Sequence, residues 1–157
     1  MAEPGIRRGL LLWTAVCLMF AASAASGEVA VADVARVIES SRPGIAGRAV
    51  LDELRGRLAD ELVRYAEKLG ETPEAEAELS RRYAEAQAAY SAEVRRISEI
   101  LTDVLRGAAQ KWLKNNKRGV TVIIPADSAL AASGGADVSD ELLRQMDKIM
   151  VDFTQKR

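Results

Sequence analysis

The feature that most constrains the fold is a regular series of apolar residues through the middle of the chain. The apolar positions are three or four residues apart from Leu51 to Leu69, and again from Leu79 to Trp112. This period places their side chains on one face of an α-helix. The sequence therefore predicts two long helices, at about residues 45–69 and 74–113.

A short segment, "GETPE" at residues 70–74, separates the two predicted helices. Gly70 suits the position after a helix C-terminus, Thr72 is a good N-cap, and Pro73 is tolerated in a first helical turn. We expect the two helices to form an antiparallel hairpin, which returns the chain to the place where it left.

Two segments with strand-like patterns lie on either side of the hairpin. Residues 28–34 ("EVAVADV") alternate in the manner of a strand, and residues 120–124 ("VTVII") are a β-branched run. A lone strand would leave its N–H and C=O groups unpaired. Because the hairpin brings them together, we predict that these two segments pair, with a further short strand at about residues 129–132.

Two shorter helices are predicted beside this sheet. The segment "ARVIESSRPG" indicates a helical turn that Pro43 and Gly44 end. A final helix is predicted with Ser139 as its N-cap. The apolar face of this final helix consists of Leu142, Leu143 and Met146.

The predicted fold class is mainly α with a small β base. Residues 28–44 and 115–157 form the base, and residues 45–114 form a coiled-coil arm that projects from it. A sheet this small is marginal in water, and no disulfide staples it, so we expect the base to oligomerise. The apolar base residues, expected between subunits or alternatively in the core of a monomeric base, are Val29, Val31, Val37, Ile38, Val122, Ile123, Ile124, Leu130, Leu142 and Leu143.

The first 27 residues indicate export. Arg7 and Arg8 precede an apolar stretch at residues 10–22, and the small residues "AASAASG" follow it. This is the pattern of a secretory signal peptide, with cleavage expected at about residues 24–27. An uncleaved membrane anchor is the alternative, although the apolar stretch is shorter than the ~20 residues that a spanning helix needs.

The residue types that remain after position 27 argue against catalysis. This part of the chain contains no histidine and no cysteine, which excludes Ser–His and Cys–His chemistry and removes the commonest metal ligand. The many carboxylates lie on predicted helices, where Glu and Arg usually form solvated i,i+4 pairs. We therefore expect a protein that is not an enzyme and that holds no cofactor or metal.

Two long segments, one at each end of this remaining chain, carry a resemblance to a known family. The first is "VAVADVARVIESSRPGIAGRAVLDEL", which contains Asp33 and Gly44, and the second is "VTVIIPADSALAASGGADVSDELLRQMDK". They resemble the opening and closing segments of the Skp (OmpH-like) periplasmic chaperones. The matching residues of the second segment are Ile123, Ile124, Asp137, Val138, Ser139, Asp140 and Leu142.

The resemblance implies a periplasmic homotrimer with a β-barrel-like base and three helical tentacles. It also implies an ATP-independent holdase that binds unfolded outer-membrane proteins between the tentacles and prevents their aggregation. A periplasmic coiled-coil structural or adaptor protein, which binds one folded partner, is the alternative. Nucleic acid is not an expected partner.

Several apolar residues of the arm are candidate client contacts. For the tyrosines among them, packing within the hairpin is the alternative role. Trp112 is expected to seal the junction between the arm and the base. The candidate contacts are Leu58, Leu62, Tyr65, Leu69, Leu79, Tyr83 and Tyr90.

Charge is distributed unevenly along the arm. The family's arms are often basic, whereas residues 67–85 carry six acidic and three basic side chains. Arg95 and Arg96 fall near a basic position of the family, which implies a weak contact with anionic lipid. A basic collar is predicted near the base, with pairing to the helix dipole as the alternative role; its residues are Arg106, Lys111, Lys114, Lys117 and Arg118.

Overall fold

A computed structural model describes residues 28–69 and 72–154, so the predicted signal peptide lies outside the described residues. The described chain is mainly helical, with one small sheet, as the sequence predicts. None of its helices is both long and apolar enough to cross a membrane. The elements are β1 (Glu28–Ala32), α1 (Val34–Ser40), α2 (Arg42–Ala66), α3 (Pro73–Asn115), β2 (Val120–Pro125) and α4 (Ser139–Met146), with 3₁₀ turns at Ala126–Ser128 and Gly134–Ala136.

The sheet confirms the predicted pairing of the two distant segments. Strands β1 and β2 are parallel, with Val29 opposite Val122 and Val31 opposite Ile124. Parallel neighbours need a long crossover connection, which helices α1 to α3 supply here.

The predicted third strand at residues 129–132 is absent, and this prediction was wrong. The outer edge of β1, where such a strand could pair, is occupied by another segment: the Val138 N–H donates to the Val31 carbonyl at 2.9 Å. Leu130 is fully exposed. Residues 129–132 therefore have neither a free β1 edge nor a buried face to order them as a strand.

Ser41 forms the corner between α1 and α2. Its hydroxyl donates to the Ile38 carbonyl at 2.8 Å and accepts from the Gly44 N–H at 3.1 Å, which caps the start of α2. The prediction that Pro43 and Gly44 end the first helix was wrong, because both lie in the first turn of α2. A Cβ at Gly44 would lie 1.8 Å from the Ile38 carbonyl oxygen, so this close approach requires glycine.

Ser139 is the first residue of α4 and not its N-cap, so that prediction was also wrong. The Ser139 hydroxyl accepts from the Asp33 N–H at 2.8 Å and donates to the Asp137 carboxylate. The Ser139 N–H also donates to the Asp137 carboxylate, at 2.8 Å, and the bonds from the hydroxyl and the N–H lower the pKa of Asp137. The Ser139 hydroxyl thus links the residue after β1 to the start of α4 through hydrogen bonds.

The predicted boundaries of the longest helix, α3, are confirmed to within two residues. Thr72 caps its start by accepting from the Ala75 N–H at 3.2 Å, and Asn116 caps its end. The Asn116 amide then donates to the Val120 carbonyl at 3.0 Å and accepts from the Val120 N–H at 3.0 Å. Gly119 has a φ of 73°, a left-handed conformation that favours glycine. The turn therefore leads directly into β2.

Helices α2 and α3 pack against each other with opposite chain directions. Gly47, near the start of α2, lies beside Ile97, whereas Tyr65, near its end, contacts Glu78 near the start of α3. Between residues 48 and 96 no described residue is buried. The core lies at the other end of the pair, in a base cluster of Ala30, Ala32, Val37, Ala108, Trp112, Val120, Val138, Leu142 and Met146.

Candidate functional site

The predicted base residues fall into three groups by exposure. Val31, Val37 and Leu142 are buried within the chain's own core. Ile38, Ile123, Ile124 and Leu143 are partly buried, whereas Val29, Val122 and Leu130 are exposed. Only the partly buried and exposed residues therefore have side-chain surface available to a second chain.

One face of the sheet is apolar and uncovered at its start. Val29 and Val122 are direct neighbours across the two strands and are 53% and 46% exposed. Ala30 and Ala32, on the opposite face of β1, are buried against the core. In the described chain β2 has β1 as its one strand neighbour, and the Asn116 amide occupies the N–H and C=O groups of Val120 at the start of the other edge.

The contact between α2 and α3 is narrow beyond residue 47. A seam of Leu58, Leu62 and Ala86 borders two open grooves, of 320 and 280 Å³, one on each side of the helix pair. The first groove is also lined by Glu61, Tyr65, Arg82, Glu85 and Ala89, and the second by Arg55, Ala59, Tyr83, Gln87 and Tyr90.

Five of the seven candidate client-contact residues line these grooves. Tyr65 and Tyr90 are half-buried, so they contribute to helix packing, while Tyr83 is 64% exposed and contributes little. Leu69 and Leu79 are also half-buried but line neither groove. The structure thus leaves both tyrosine roles open for Tyr65 and Tyr90, and favours a surface role for Tyr83.

At the far end of the helix pair, Tyr65 of α2 contacts a cluster of charged α3 residues centred on Glu78. Its carboxylate accepts from Arg81 at 2.6 Å, from Arg82 at 3.3 Å and from the Tyr65 hydroxyl at 3.1 Å. The Arg82 guanidinium also lies over the Tyr65 ring, 5.0 Å from its centre. Hydrogen bonding, chiefly from Arg81, lowers the pKa of Glu78 from 4.5 to about 2.

The predicted basic collar does not form one free cluster. Arg106 pairs with Asp103 at 2.7 Å. Arg118 donates to the Gly135 carbonyl at 3.0 Å and stacks on Trp112. All five collar residues are exposed to solvent, but Arg106 and Arg118 also make these contacts within the chain. Trp112 itself is buried in the base cluster, as its predicted sealing role requires.

Arg96, predicted as a lipid contact, is engaged within the chain. It donates to Glu93 at 2.9 Å and to the Phe153 carbonyl at 2.7 Å, while Arg95 is exposed.

Sequence reasoning missed Phe153, which packs with Ile97 and Leu101 where α2 and α3 meet the base. The alternation of Ile149, Val151 and Phe153 with polar or exposed residues was the available signal.

The described residues contain no group of three or more His, Cys, Asp or Glu side chains that could hold a metal ion. No protein-family model matches this sequence, and no curated protein is significantly similar to it. The candidate site is therefore defined by its geometry: two shallow grooves along a helix pair and an uncovered apolar sheet face.

Proposed function

We propose that this chain is an ATP-independent periplasmic holdase chaperone of the Skp type. In this proposal three chains join through their bases, and the α2–α3 hairpins project as arms around a cavity that holds unfolded outer-membrane proteins. The observation that supports it best is the pair of grooves along the seam, which offer apolar surface over a length of helix without a buried residue.

The grooves suit a client that has no fixed shape. Strands of outer-membrane proteins carry alternating apolar residues that face lipid only after insertion, and their unpaired edges promote aggregation in water. At about 25 cal/mol per Å² of buried apolar surface, a few hundred Å² spread over several arms would hold such a chain reversibly. Shallow grooves on the arms provide contacts of this kind and impose no conformation on the client.

The uncovered sheet face supports association of the bases. Val29 and Val122 are adjacent and exposed. Beyond Val120, β2 has no second strand neighbour in the described chain, so this part of its edge can accept a further strand. We expect Val122→Lys to reduce the mass in solution from three chains to one, because a charge on this face opposes pairing. The exposed Val63 on α2 provides the control, since Val63→Lys should leave the mass unchanged.

The central test uses protein recovered from the periplasm after expression of the whole coding sequence. N-terminal sequencing should find a first residue near 25–28, and light scattering should give the mass of three chains. Nucleotide-free protein, supplied at one or more trimers per client, should suppress aggregation of several urea-diluted outer-membrane barrels. A monomer without this effect contradicts the proposal. Binding of one folded partner and of no unfolded barrel would identify the adaptor function instead.

Matched substitutions locate the client surface. Tyr83 lines a groove and Val63 does not, and both are exposed, at 64% and 58%. Tyr83→Ser should weaken aggregation suppression several-fold, while Val63→Ser should not, and neither should shift the melting temperature by more than about 2 °C. Equal loss of holding in the two variants would contradict a role for the groove.

A further inference from the structure

Residues 147–154, called here the C-terminal strap, run from the end of α4 to the place where α2 and α3 leave the base. The strap begins at Asp147, whose carboxylate accepts from the Arg42 N–H at 2.9 Å, at the first residue of α2. Ile149 then packs on the base cluster, and Val151 packs on the cluster that contains Phe153. Alternate side chains of the strap thus attach it to both helices.

Phe153 lies between the two helices at their junction with the base. Its side chain is buried with Ile97 and Leu101, and its ring lies 3.4 Å from the position that a Cβ on Gly47 would take. Gly47 belongs to α2, and Ile97 and Leu101 belong to α3. The phenyl ring therefore contacts both helices at once, at the outermost buried position of the pair.

The end of the strap is held by side chains. Arg96 Nη2 donates to the Phe153 carbonyl at 2.7 Å, and Arg96 is itself held by Glu93 through bonds of 2.9 and 2.5 Å. In the described part of the chain, no main-chain hydrogen bond joins residues 150–154 to another element. The end of the strap can therefore detach from the two helices without breaking a main-chain hydrogen bond of a helix or of the sheet.

We infer that the C-terminal strap is a conformational lock that fixes the α2–α3 pair on the base. When Phe153 is seated, both helices are held at one angle. When it leaves, the pair moves relative to the base, while the base cluster, which does not include Phe153, stays folded. The strap would act in this way whether or not the helix pair holds unfolded clients.

Hydrogen exchange of the whole protein tests the lock. We expect Phe153→Ala to speed amide exchange by about tenfold or more in peptides from residues 45–62 and 80–100, because local opening no longer displaces a buried ring. Peptides from residues 104–113 and 139–146 should be unchanged. Met150→Ala is the matched control in the same strap, since Met150 is 98% exposed, and should exchange like the original protein.

A second pair of variants keeps the inference testable if Phe153→Ala fails to fold. Arg96→Gln removes the bond to the strap and leaves the ring in place, whereas Arg95→Gln changes the exposed neighbour. Faster exchange in the helix pair for Arg96→Gln alone supports the lock. Unchanged exchange in the pair, or equal acceleration in the base and the pair, overturns it.

Discussion

The two halves of α3 have the same sequence pattern and different surroundings. Apolar residues recur every three or four positions from Leu79 to Trp112, over most of this 43-residue helix, which is about 64 Å long. All of the helix's buried residues, Ile97, Leu101, Ala108 and Trp112, lie in its second half. The period fixes which side of a helix is apolar, whereas the depth of burial depends on how many elements pack there.

The difference follows from the neighbours of each half. The second half contacts α4 and β2 as well as the strap, while the first half has α2 as its packing partner in the described chain, across a narrow seam. A helix pair buries one stripe per helix and leaves groove walls exposed. The buried residues that stabilise the fold therefore lie towards the base, whereas the first half of α3 and the facing part of α2 leave apolar surface exposed to solvent.

Gly44→Ala should give the largest effect and tests the rigidity of the base. The added Cβ would meet the Ile38 carbonyl oxygen at 1.8 Å, and a main-chain oxygen in a capped corner cannot move aside. We expect a loss of more than about 4 kcal/mol in the free energy of unfolding, measured by urea denaturation. Near-normal stability would mean that the corner between α1 and α2 can shift to make room for the added methyl group.

Leucine truncations compare the two regions directly. Leu142 is buried in the base, and Leu62 is half-buried in the arm. Leu142→Ala should cost about 3 kcal/mol, and Leu62→Ala about 1 kcal/mol because less of its surface leaves water on folding. Equal losses of stability would contradict the difference in burial between the two leucines. They would mean that Leu62 is fully buried in solution, as it would be if it lay between chains of an assembly.

Acid should weaken the contacts of Glu78 with Tyr65 and the two arginines. The folded-state pKa of Glu78 is about 2, below its ordinary value of 4.5, so Glu78 stabilises the fold fully above pH 4.5. This contribution is lost as the pH falls from 4.5 towards 2. Melting temperatures at pH 7, 4, 3 and 2 should show a smaller acid-induced decrease for Glu78→Gln than for the original protein.

Glu76→Gln is the control for this titration. Glu76 is an exposed carboxylate in the first turn of α3, two residues before Glu78, and the original pH dependence should persist in its variant. If both substitutions change the profile equally, the effect comes from net charge at the arm tip, and the specific link among Glu78, Tyr65 and the arginines is not responsible.

Local signals predicted much of this fold, because they depend on neighbours in sequence. Helical period, the Thr72 cap and Pro73 located α2 and α3, and the β-branched run at residues 120–124 located β2. The pairing of β1 with β2 followed from the return of the chain. Ser139 was misassigned because its hydroxyl binds Asp33, a residue 106 positions away, and no local rule contains that contact.

The candidate site was less predictable, because its contacts also join residues that are far apart in the sequence. The apolar residues of the arm were identified, but their depth of burial depends on partners elsewhere in the chain. Arg106 and Arg118 were predicted as part of a basic collar, but the sequence did not reveal their contacts with Asp103 and the Gly135 carbonyl. Phe153 was missed because its partners, Gly47, Ile97 and Leu101, come from two other elements.

The smallest effect compares two glycines of α2, one on each side of the boundary between base and arm. A Cβ at Gly56 meets nothing within 4 Å, so Gly56→Ala should stabilise the protein by about 0.5–1 kcal/mol through helix propensity alone. At Gly47 the same methyl group would lie 2.9 Å from Ile97 Cγ2, and overpacking of about 1–3 kcal/mol should exceed the gain. Urea midpoints should therefore shift in opposite directions. If Gly47→Ala stabilised the protein as much as Gly56→Ala, the junction would be loosely packed in solution, and the boundary between base and arm would lie closer to the sheet.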